Sequence, residues 1–231
     1  MTDLASRSDA AELMDTDCRD FDDYRACLSD LARVNVVTQT HRPVLAWLAR
    51  ATAGIDAFSL LDVACGHGDL LRAIARWATR SGKRVSLRGI DLNPWAIRAA
   101  REASGGDGIE YVPSDVFAYA PPTAPDLIVT SQFAHHLDDA TLVHLLQWLE
   151  ANAGRGWYIA DLRRHWLPYY AFPVLCRIAG WHRFVCYDGR VSITRSLTLD
   201  EWRDRLRTAG LDGVATARRR LPFRIAVERL R

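Results

Sequence analysis

Two glycines follow an apolar run near residue 60 and stand directly before a helical pattern. The run Leu60–Ala64 predicts a buried strand, and Gly66 and Gly68 lie in the turn after it. Glycine lets a backbone turn tightly and approach a bound molecule closely. Asp62 stands at the strand end, where a dinucleotide fingerprint is apolar, and Leu71 replaces the third glycine of that fingerprint. The pattern therefore predicts a ligand-binding turn that differs from a nicotinamide site.

Two more acidic residues come directly after predicted strands. Asp91 follows the run Ser86–Ile90 about 20 residues beyond the glycines, where a carboxylate can accept hydrogen bonds from ribose hydroxyls. Asp115 follows the run Ile109–Val112 and can accept a hydrogen bond from an adenine amino group, while Val116 offers its backbone N–H. This order of glycines and acids is more specific than any of its parts. It predicts a site for an adenosine-containing ligand.

A pair of histidines follows the fourth predicted strand, Leu127–Thr130, at the edge of the sheet where ligands bind. A histidine within hydrogen-bonding distance of a hydroxyl can act as a general base. We favour His136 over His135 in this role; the alternative is that the histidines shape the pocket or cap the next helix. Asp138 and Asp139 beside them could hold magnesium, but a helix cap at Asp138 is the commoner use, so we expect no metal.

The elements that must position these residues alternate along the chain. Short apolar runs and helical segments follow each other from Ser59 onward, which is typical of βαβ units and a parallel sheet. Further strands are predicted at Trp157–Ala160, Val214–Arg218 and Arg224–Glu228, the last two as an antiparallel pair. Helices are predicted at Asp69–Thr79, Pro94–Ala103, Asp139–Ala151 and Leu199–Ala209. We therefore predict an α/β fold with a doubly wound, mostly parallel seven-stranded sheet and a terminal antiparallel strand.

Two segments lie outside this alternation. Residues 1–55 have an acidic start, which we expect to be frayed, and then two predicted helices, Tyr24–Val37 and Pro43–Ala51. We interpret this part as an N-terminal helical cap on an α/β domain of residues 56–231. Residues 163–197 are rich in aromatic side chains, and we interpret them as an inserted lid over the substrate.

Four residues of the predicted lid are candidates for substrate binding. Trp166, Tyr169 and Tyr170 could stack on a flat ring and exclude water. Arg163 could bind a carboxylate on the substrate or the cofactor. The alternatives are core or dimer packing for the aromatic residues and a surface ion pair for the arginine.

The composition excludes several classes of protein. The chain of 231 residues has 30 basic and 28 acidic residues, a net charge of +2 and no dominant basic stripe, so we expect no nucleic-acid partner. Its longest apolar stretch is broken by Pro173 and Arg177 and is shorter than a membrane span. No signal peptide is visible, and the cysteines form no C-x-x-C pair. We expect a cytoplasmic protein, monomeric or homodimeric, without stable membrane insertion.

From about Ser59 to its C-terminus, the chain resembles the class I, Rossmann-like methyltransferases that use S-adenosylmethionine. The resemblance implies that Asp62, Gly66 and Gly68 surround the methionine part of the cofactor, that Asp91 binds its ribose, and that Asp115 faces its adenine. The remaining cofactor-binding residues that it implies are Ala64, Cys65, Leu92, Ser114, Val116 and Ser131.

A finer resemblance is to bacterial small-molecule methyltransferases, including enzymes encoded beside type III polyketide synthases. It is carried by Phe133–Leu137 and Ala160–Arg164, and also by Asn35 and Thr40–Arg42. The resemblance implies a role in secondary metabolism and a small aromatic substrate. It also implies O-methylation of a phenolic or polyketide-derived hydroxyl.

Other functions fit the same residues. One alternative is C- or N-methylation of a quinone-like or quinolone-like metabolite. Another is a catalytically silent protein that binds S-adenosylmethionine as a partner or sensor, against which the intact motif residues argue. A nicotinamide-dependent dehydrogenase is disfavoured by Asp62 and Leu71.

Overall fold

One sheet organises the computed structural model, which describes residues 4–231. Within these residues its seven strands are β1 (Ala57–Val63), β2 (Arg84–Asp91), β3 (Glu110–Pro113), β4 (Leu127–Ser131), β5 (Gly156–Leu162), β6 (Thr216–Arg220) and β7 (Arg224–Leu230). Their order is β3-β2-β1-β4-β5-β7-β6. The first five strands are parallel, and β7 runs antiparallel to both β5 and β6. The predicted fold class is confirmed.

Helices connect the strands and precede the sheet. They are α1 (Leu13–Thr16), α2 (Phe21–Val37), α3 (Arg42–Ala51), α4 (Asp69–Arg80), α5 (Pro94–Ser104), α6 (Asp139–Asn152), α7 (Trp166–Ala179), α8 (Arg183–Arg195) and α9 (Leu199–Thr208). The N-terminal caps of two helices show why these helices begin where they do. The Asp138 carboxylate accepts from the Thr141 N–H at the start of α6, and Thr198 and Glu201 form a capping box at the start of α9.

The sheet is covered by helices on both faces. Leu145 of α6 and Trp202 of α9 are fully buried on one face, and Trp47 of α3 and Ile74 of α4 lie on the other. The central strand β4 begins with three buried apolar residues, at positions 127–129, as expected for a parallel strand covered on both sides. This packing leaves the carboxyl ends of the parallel strands as the open edge.

The start of the chain differs from the expected frayed segment. Arg7 donates from Nη2 to the carbonyl oxygens of His135 (2.9 Å) and Leu137 (2.6 Å), and the Ser8 N–H donates to the Thr194 carbonyl. Glu12 is buried. The expectation of fraying was wrong because it rested on local acidic composition, whereas the partners of these residues lie far along the chain. Residues 1–3 of the predicted cap lie outside the described part.

The predicted lid consists of two helices, α7 and α8. Helix α8 also contacts α1 and α2, so the N-terminal helices and the insertion pack together. Trp166 and Tyr170 are more than half exposed, at 59% and 54%, and Tyr169 is buried. Among residues 4–231, no helix has the length and apolar character that crossing a membrane requires.

Candidate active site

A cavity of about 690 Å³ lies at the carboxyl ends of the strands. The strand order reverses between β1 and β4, so their connections leave on opposite faces and open a crevice, the usual ligand position in doubly wound sheets. The turns after β1, β2, β3 and β4 contribute walls, and residues of the N-terminal helices close the cavity from the opposite side.

The glycine turn after β1 has a left-handed backbone at three positions. The φ angles of Ala64, Gly66 and Gly68 are 56°, 51° and 72°. Strand β1 ends at Val63, one residue earlier than predicted, because Ala64 already leaves the extended conformation. The Cys65 N–H donates to the Ile90 carbonyl at 2.9 Å, so the turn is fastened to the end of β2.

Asp91 joins two turns at the wall of the cavity. Its carboxylate accepts from the Gly66 N–H and from the Asn93 N–H, each at 2.9 Å. Burial raises the pKa of Asp91, although both hydrogen bonds act in the opposite direction. Asp91 therefore stands at the end of β2 beside the glycine turn, the position at which the sequence predicts a ribose contact.

All of the predicted cofactor residues except Asp62 and Gly68 line the cavity. Asp62 is buried inside the sheet between Gly89 of β2 and Val129 of β4, and burial raises its pKa well above the usual value. Gly68 precedes α4 with its backbone against the Tyr111 ring, which a Cβ at this position would strike. In the structure these two residues support the glycine turn without lining the cavity.

The far side of the cavity carries the residues predicted to face adenine. The Asp115 carboxylate accepts from the Phe117 N–H at 2.9 Å, and this local bond shapes the loop after β3. Leu92 also lines the cavity, and its side chain is 74% exposed. An apolar side chain and an acidic group that line the same cavity suit a flat ring with polar groups at its edge.

Ser131 offers a buried polar atom without a protein partner. Its Oγ is buried and forms no hydrogen bond within residues 4–231, yet the residue lines the cavity. Buried hydroxyls are normally paired. The free hydroxyl is an observation in this chain that fits a polar ligand in the cavity.

A polar network ties the glycine turn to the N-terminal helices. Gln132 Nε2 donates to Asn35 Oδ1 (2.6 Å), Asn35 Nδ2 donates to Asp69 Oδ2 (2.9 Å), and His41 Nε2 lies 2.9 Å from the same oxygen. Burial opposes ionisation of Asp69, but the hydrogen bonds from His41 and Asn35 lower its pKa to about 2. Asn35 and His41 are residues that carried the finer family resemblance, and Asp69 and Gln132 were missed by the sequence analysis.

His135 is held between two carboxylates. Its Nδ1 lies 2.7 Å from Asp161 Oδ1, its N–H donates to Asp161 Oδ2, and its Nε2 lies 3.7 Å from Glu12 Oε1. Burial disfavours the imidazolium, but Asp161 and then Glu12 outweigh it and raise the pKa of His135 to about 9. His135 is thus a buried cation with two anionic partners, and Glu12 is a part of the site that the sequence analysis missed.

His136 has the opposite electrostatic environment, although it adjoins His135 in the chain. Burial and the neighbouring His135 charge lower the pKa of His136 to about 4, against the attraction of Glu12. Its side chain is 29% exposed, lines the cavity, and has Nε2 at 3.8 Å from Glu12 Oε2. His136 is therefore neutral near pH 7 and able to accept a proton from a molecule in the cavity.

The same three side chains could also hold a metal ion. Ligand atoms of Glu12, His135 and His136 lie within 4.8 Å of one another. Within this cluster the Glu12 carboxylate is already matched by protonated His135, while His136 is neutral. The absence of a metal stays a prediction. Asp138 serves as the expected helix cap.

The predicted substrate contacts lie elsewhere. Arg163, Trp166, Tyr169 and Tyr170 line neither this cavity nor a second one of about 260 Å³ beside it. On α7 the exposed Trp166 and Tyr170 point away from the second cavity, and Arg190 covers Tyr169 with its guanidinium 4.4 Å from the ring centre. Other residues of α7, including Phe172, form the wall instead. The cavity walls therefore do not support a role in acceptor binding for the four predicted residues of the lid.

The fold agrees with the predicted class of protein. The sheet is doubly wound with an antiparallel β7, and a cavity lies at its switch point. Residues 60–156 match the family described as a methyltransferase domain. The chain is also 26% identical over 125 residues to the ubiquinone biosynthesis O-methyltransferase of Pseudoalteromonas translucida (strain TAC 125). That match covers 52% of this chain and about half, 50%, of the relative.

Solved structures share the fold over nearly the whole chain. The plantazolicin methyltransferase BpumL in complex with SAH superimposes with a TM-score of 0.67 at 14% identity, covering 95% of this chain and 93% of that one. The magnesium protoporphyrin IX methyltransferase of Synechocystis PCC 6803 with bound SAM gives 0.60 at 16% identity, covering 97% and 99%. The match to the methyltransferase domain agrees with the predicted enzyme class, and the solved structures, one with SAH and one with SAM bound, share the fold. The link to type III polyketide synthases stays a prediction.

Proposed function

We propose that this protein is an S-adenosylmethionine-dependent methyltransferase that methylates a hydroxyl oxygen of a small molecule. The observation that carries the proposal is the position of His136: a neutral imidazole lines the same cavity as the predicted cofactor residues. The name of the curated relative, an O-methyltransferase, agrees with an oxygen acceptor.

The chain holds the cofactor through the turns at the strand ends. Asp91 would hold the ribose hydroxyls, and the loop at Asp115 and Val116 would border the adenine together with Leu92. The glycine turn and Ser131 border the methionine part. S-adenosylmethionine supplies a methyl group on a positively charged sulfur. The protein's main contribution is to align that carbon with the acceptor, because in-line displacement depends strongly on orientation.

His136 removes the proton that the acceptor must lose. A bound S-adenosylmethionine would supply the methyl group to the acceptor oxygen and be left as S-adenosylhomocysteine, and the proton that this oxygen loses would move to the His136 imidazole. Glu12, with a pKa lowered to about 2, is a carboxylate 3.8 Å from His136 Nε2, and its charge offsets part of the repulsion between the imidazolium and His135. General-base assistance of this kind contributes about 10²- to 10⁴-fold.

The cofactor site is tested by calorimetric titration with S-adenosylhomocysteine. Asp91→Ala should weaken binding at least about 10-fold, because charged hydrogen bonds to a ribose contribute about 1.5–3 kcal/mol. Asp107→Ala removes an exposed carboxylate outside the cavity and should leave affinity unchanged. Failure of the wild-type protein to bind S-adenosylhomocysteine would contradict the methyltransferase proposal.

The acceptor chemistry is tested by turnover of a phenol panel with mass analysis of the products. His136→Ala should lower kcat about 10²- to 10⁴-fold while S-adenosylhomocysteine affinity is kept. His136→Gln, which keeps a polar side chain without a proton-accepting imidazole, should be equally slow. A product methylated on carbon or nitrogen would keep the enzyme class and overturn the oxygen assignment.

A further inference from the structure

The second cavity adjoins the first and is mainly apolar. Glu12, Met14, Leu31, Gln132 and Ser192 line both cavities. The second extends between α7, α8 and the start of β7, where apolar side chains such as Phe172 line it. An apolar space therefore lies next to the cavity that His136 lines.

Arg224, the first residue of β7, lines the second cavity as a buried cation. It is 7% exposed, and among the side chains that the structure describes, which exclude that of Asp15, no carboxylate lies within ion-pair distance of its guanidinium. Its two hydrogen bonds both leave from Nη2, to Thr38 Oγ1 (3.1 Å) and Thr40 Oγ1 (2.7 Å). Nε is buried without a partner. Buried guanidinium groups are normally paired with an acid, so this one lacks an anion.

Nearby acidic groups are already occupied. The Asp161 oxygens accept from the N–H groups of His135 and Leu162 and from the His135 ring, and its charge acts on Arg224 only through space. Asp188 accepts from the first N–H groups of α1, at 2.7 and 3.0 Å.

The other titratable groups of the second cavity carry no free charge toward Arg224. Glu12 is engaged by His135 and by Ser192 Oγ, which donates to it at 2.7 Å. The Cys27 thiol is neutral because burial raises its pKa. Burial lowers the pKa of Arg224 to about 10, so it keeps its charge at neutral pH. Glu12 and Asp188 are thus engaged with other groups, and Arg224 is the cation among the described residues that line this cavity.

We propose that Arg224 binds a carboxylate of the acceptor, whose apolar body fills the second cavity and whose hydroxyl reaches His136. This inference rests on the proposed function and names its substrate class: an apolar hydroxy acid. The sequence offers Arg163 for carboxylate recognition, whereas the structure assigns it to Arg224, because among the described residues Arg224 is the arginine that lines these two cavities, and its Nε has no partner.

A structural role is the competing explanation, in which Arg224 only offsets the Asp161 charge. The two roles differ in ligand dependence. A structural arginine affects acids and neutral analogues alike, whereas a binding arginine discriminates between them.

The experiment uses calorimetry with 4-phenylbutanoate and its neutral analogue 4-phenylbutanamide, with and without saturating S-adenosylhomocysteine. Wild-type protein should bind the carboxylate at least about 10-fold more tightly than the amide, since charge-assisted hydrogen bonds in a buried site are strong. Arg224→Gln should abolish this preference by weakening the carboxylate alone. Arg218→Gln, the same change at an exposed position of β6, should keep it.

Two more variants keep the test decisive. Ala171→Phe fills the second cavity from α7 and should weaken both probes, which locates their apolar body. Arg224→Lys keeps the charge but not the planar fork, so it should retain a reduced preference even if Arg224→Gln does not fold.

Equal binding of carboxylate and amide to the wild type overturns the inference, as does an unchanged preference in folded Arg224→Gln. Carboxylate binding without cofactor binding would instead support Arg224 and reject the methyltransferase proposal.

Discussion

Adjacent histidines of one short 3₁₀ helix, Ala134–His136, have opposite proton affinities because their partners differ. His135 faces Asp161 and Glu12 and keeps its proton, and the resulting charge lies beside His136, with ring centres 4.4 Å apart. That charge makes His136 harder to protonate. Asp161 and His135 are thus positioning residues that keep His136 neutral and available as a base.

The Asp161→Asn variant tests this electrostatic chain. Without the carboxylate, the pKa of His135 falls, its charge at neutral pH is reduced, and the pKa of His136 rises from about 4 toward the usual value. Because His136 must be unprotonated, the acid limb of kcat/KM should move to higher pH by about one unit or more. The measurement is a profile of kcat/KM between pH 4 and 8. Asp107→Asn is the control, and an acid limb that stays in place in Asp161→Asn contradicts the coupling.

Metal removal tests whether the cluster of Glu12, His135 and His136 works as an ion pair or as a metal centre. Since the charges are matched with His135 protonated, prolonged treatment with a chelator should leave kcat and S-adenosylhomocysteine affinity unchanged. The measurement is activity before and after chelation, with elemental analysis of the protein. Loss of activity that a divalent ion restores would reassign these ligands to a metal.

At the scale of elements, the segment before α1 fastens the histidine turn to α8. Arg7 donates to carbonyl oxygens of the turn and of Arg195, and Arg195 itself donates to the carbonyls of His135 and His136. Two arginines thus satisfy backbone groups that would otherwise be buried without partners. The position of His136 depends on a segment more than 100 residues away in the chain.

Arg7→Ala should therefore loosen the turn without touching the cavity directly. Loss of a charged hydrogen bond costs about 1.5–3 kcal/mol, which for a domain of this size lowers Tm by about 3–12 °C. We expect kcat to fall while S-adenosylhomocysteine affinity is kept. Thermal denaturation and turnover measure both effects. Arg203→Ala, which removes an exposed arginine of α9, is the matched control, and equal behaviour of the two variants would contradict the bracing role.

The sequence predicts individual strands and helices better than it predicts the contacts between them. The short apolar runs and the acids after β2 and β3 are local signals, and the structure places Asp91 and Asp115 at the cavity as expected. Glu12 and Arg224 gave no such signal because their partners come from α8, β5 and the loop before α3. Trp166 shows the converse: aromatic composition cannot tell which face of α7 points inward.

The whole molecule assembles the site from distant parts of the chain. The two adjoining cavities, and the residues that hold their walls in place, come from four parts of the chain. These are the N-terminal segment, the ends of the five parallel strands, the inserted helices and β7. In an unfolded chain these groups are far apart. A ligand that fits the cavity binds only the folded form, so its binding must raise the free energy of unfolding of the entire chain.

Thermal denaturation with S-adenosylhomocysteine measures this linkage. At a concentration of 100 times Kd, the expected gain is about 2.7 kcal/mol, which corresponds to a rise in Tm of about 5–11 °C for a chain of this length. Asp91→Ala should lose about half of the shift or more at the same ligand concentration, because a roughly 10-fold weaker Kd leaves about 1.4 kcal/mol of stabilisation. A nicotinamide dinucleotide should give no shift, since Asp62 and Leu71 replace features of its fingerprint. A rise in Tm with the dinucleotide and none with S-adenosylhomocysteine would indicate a dehydrogenase, although the fold is shared with methyltransferases.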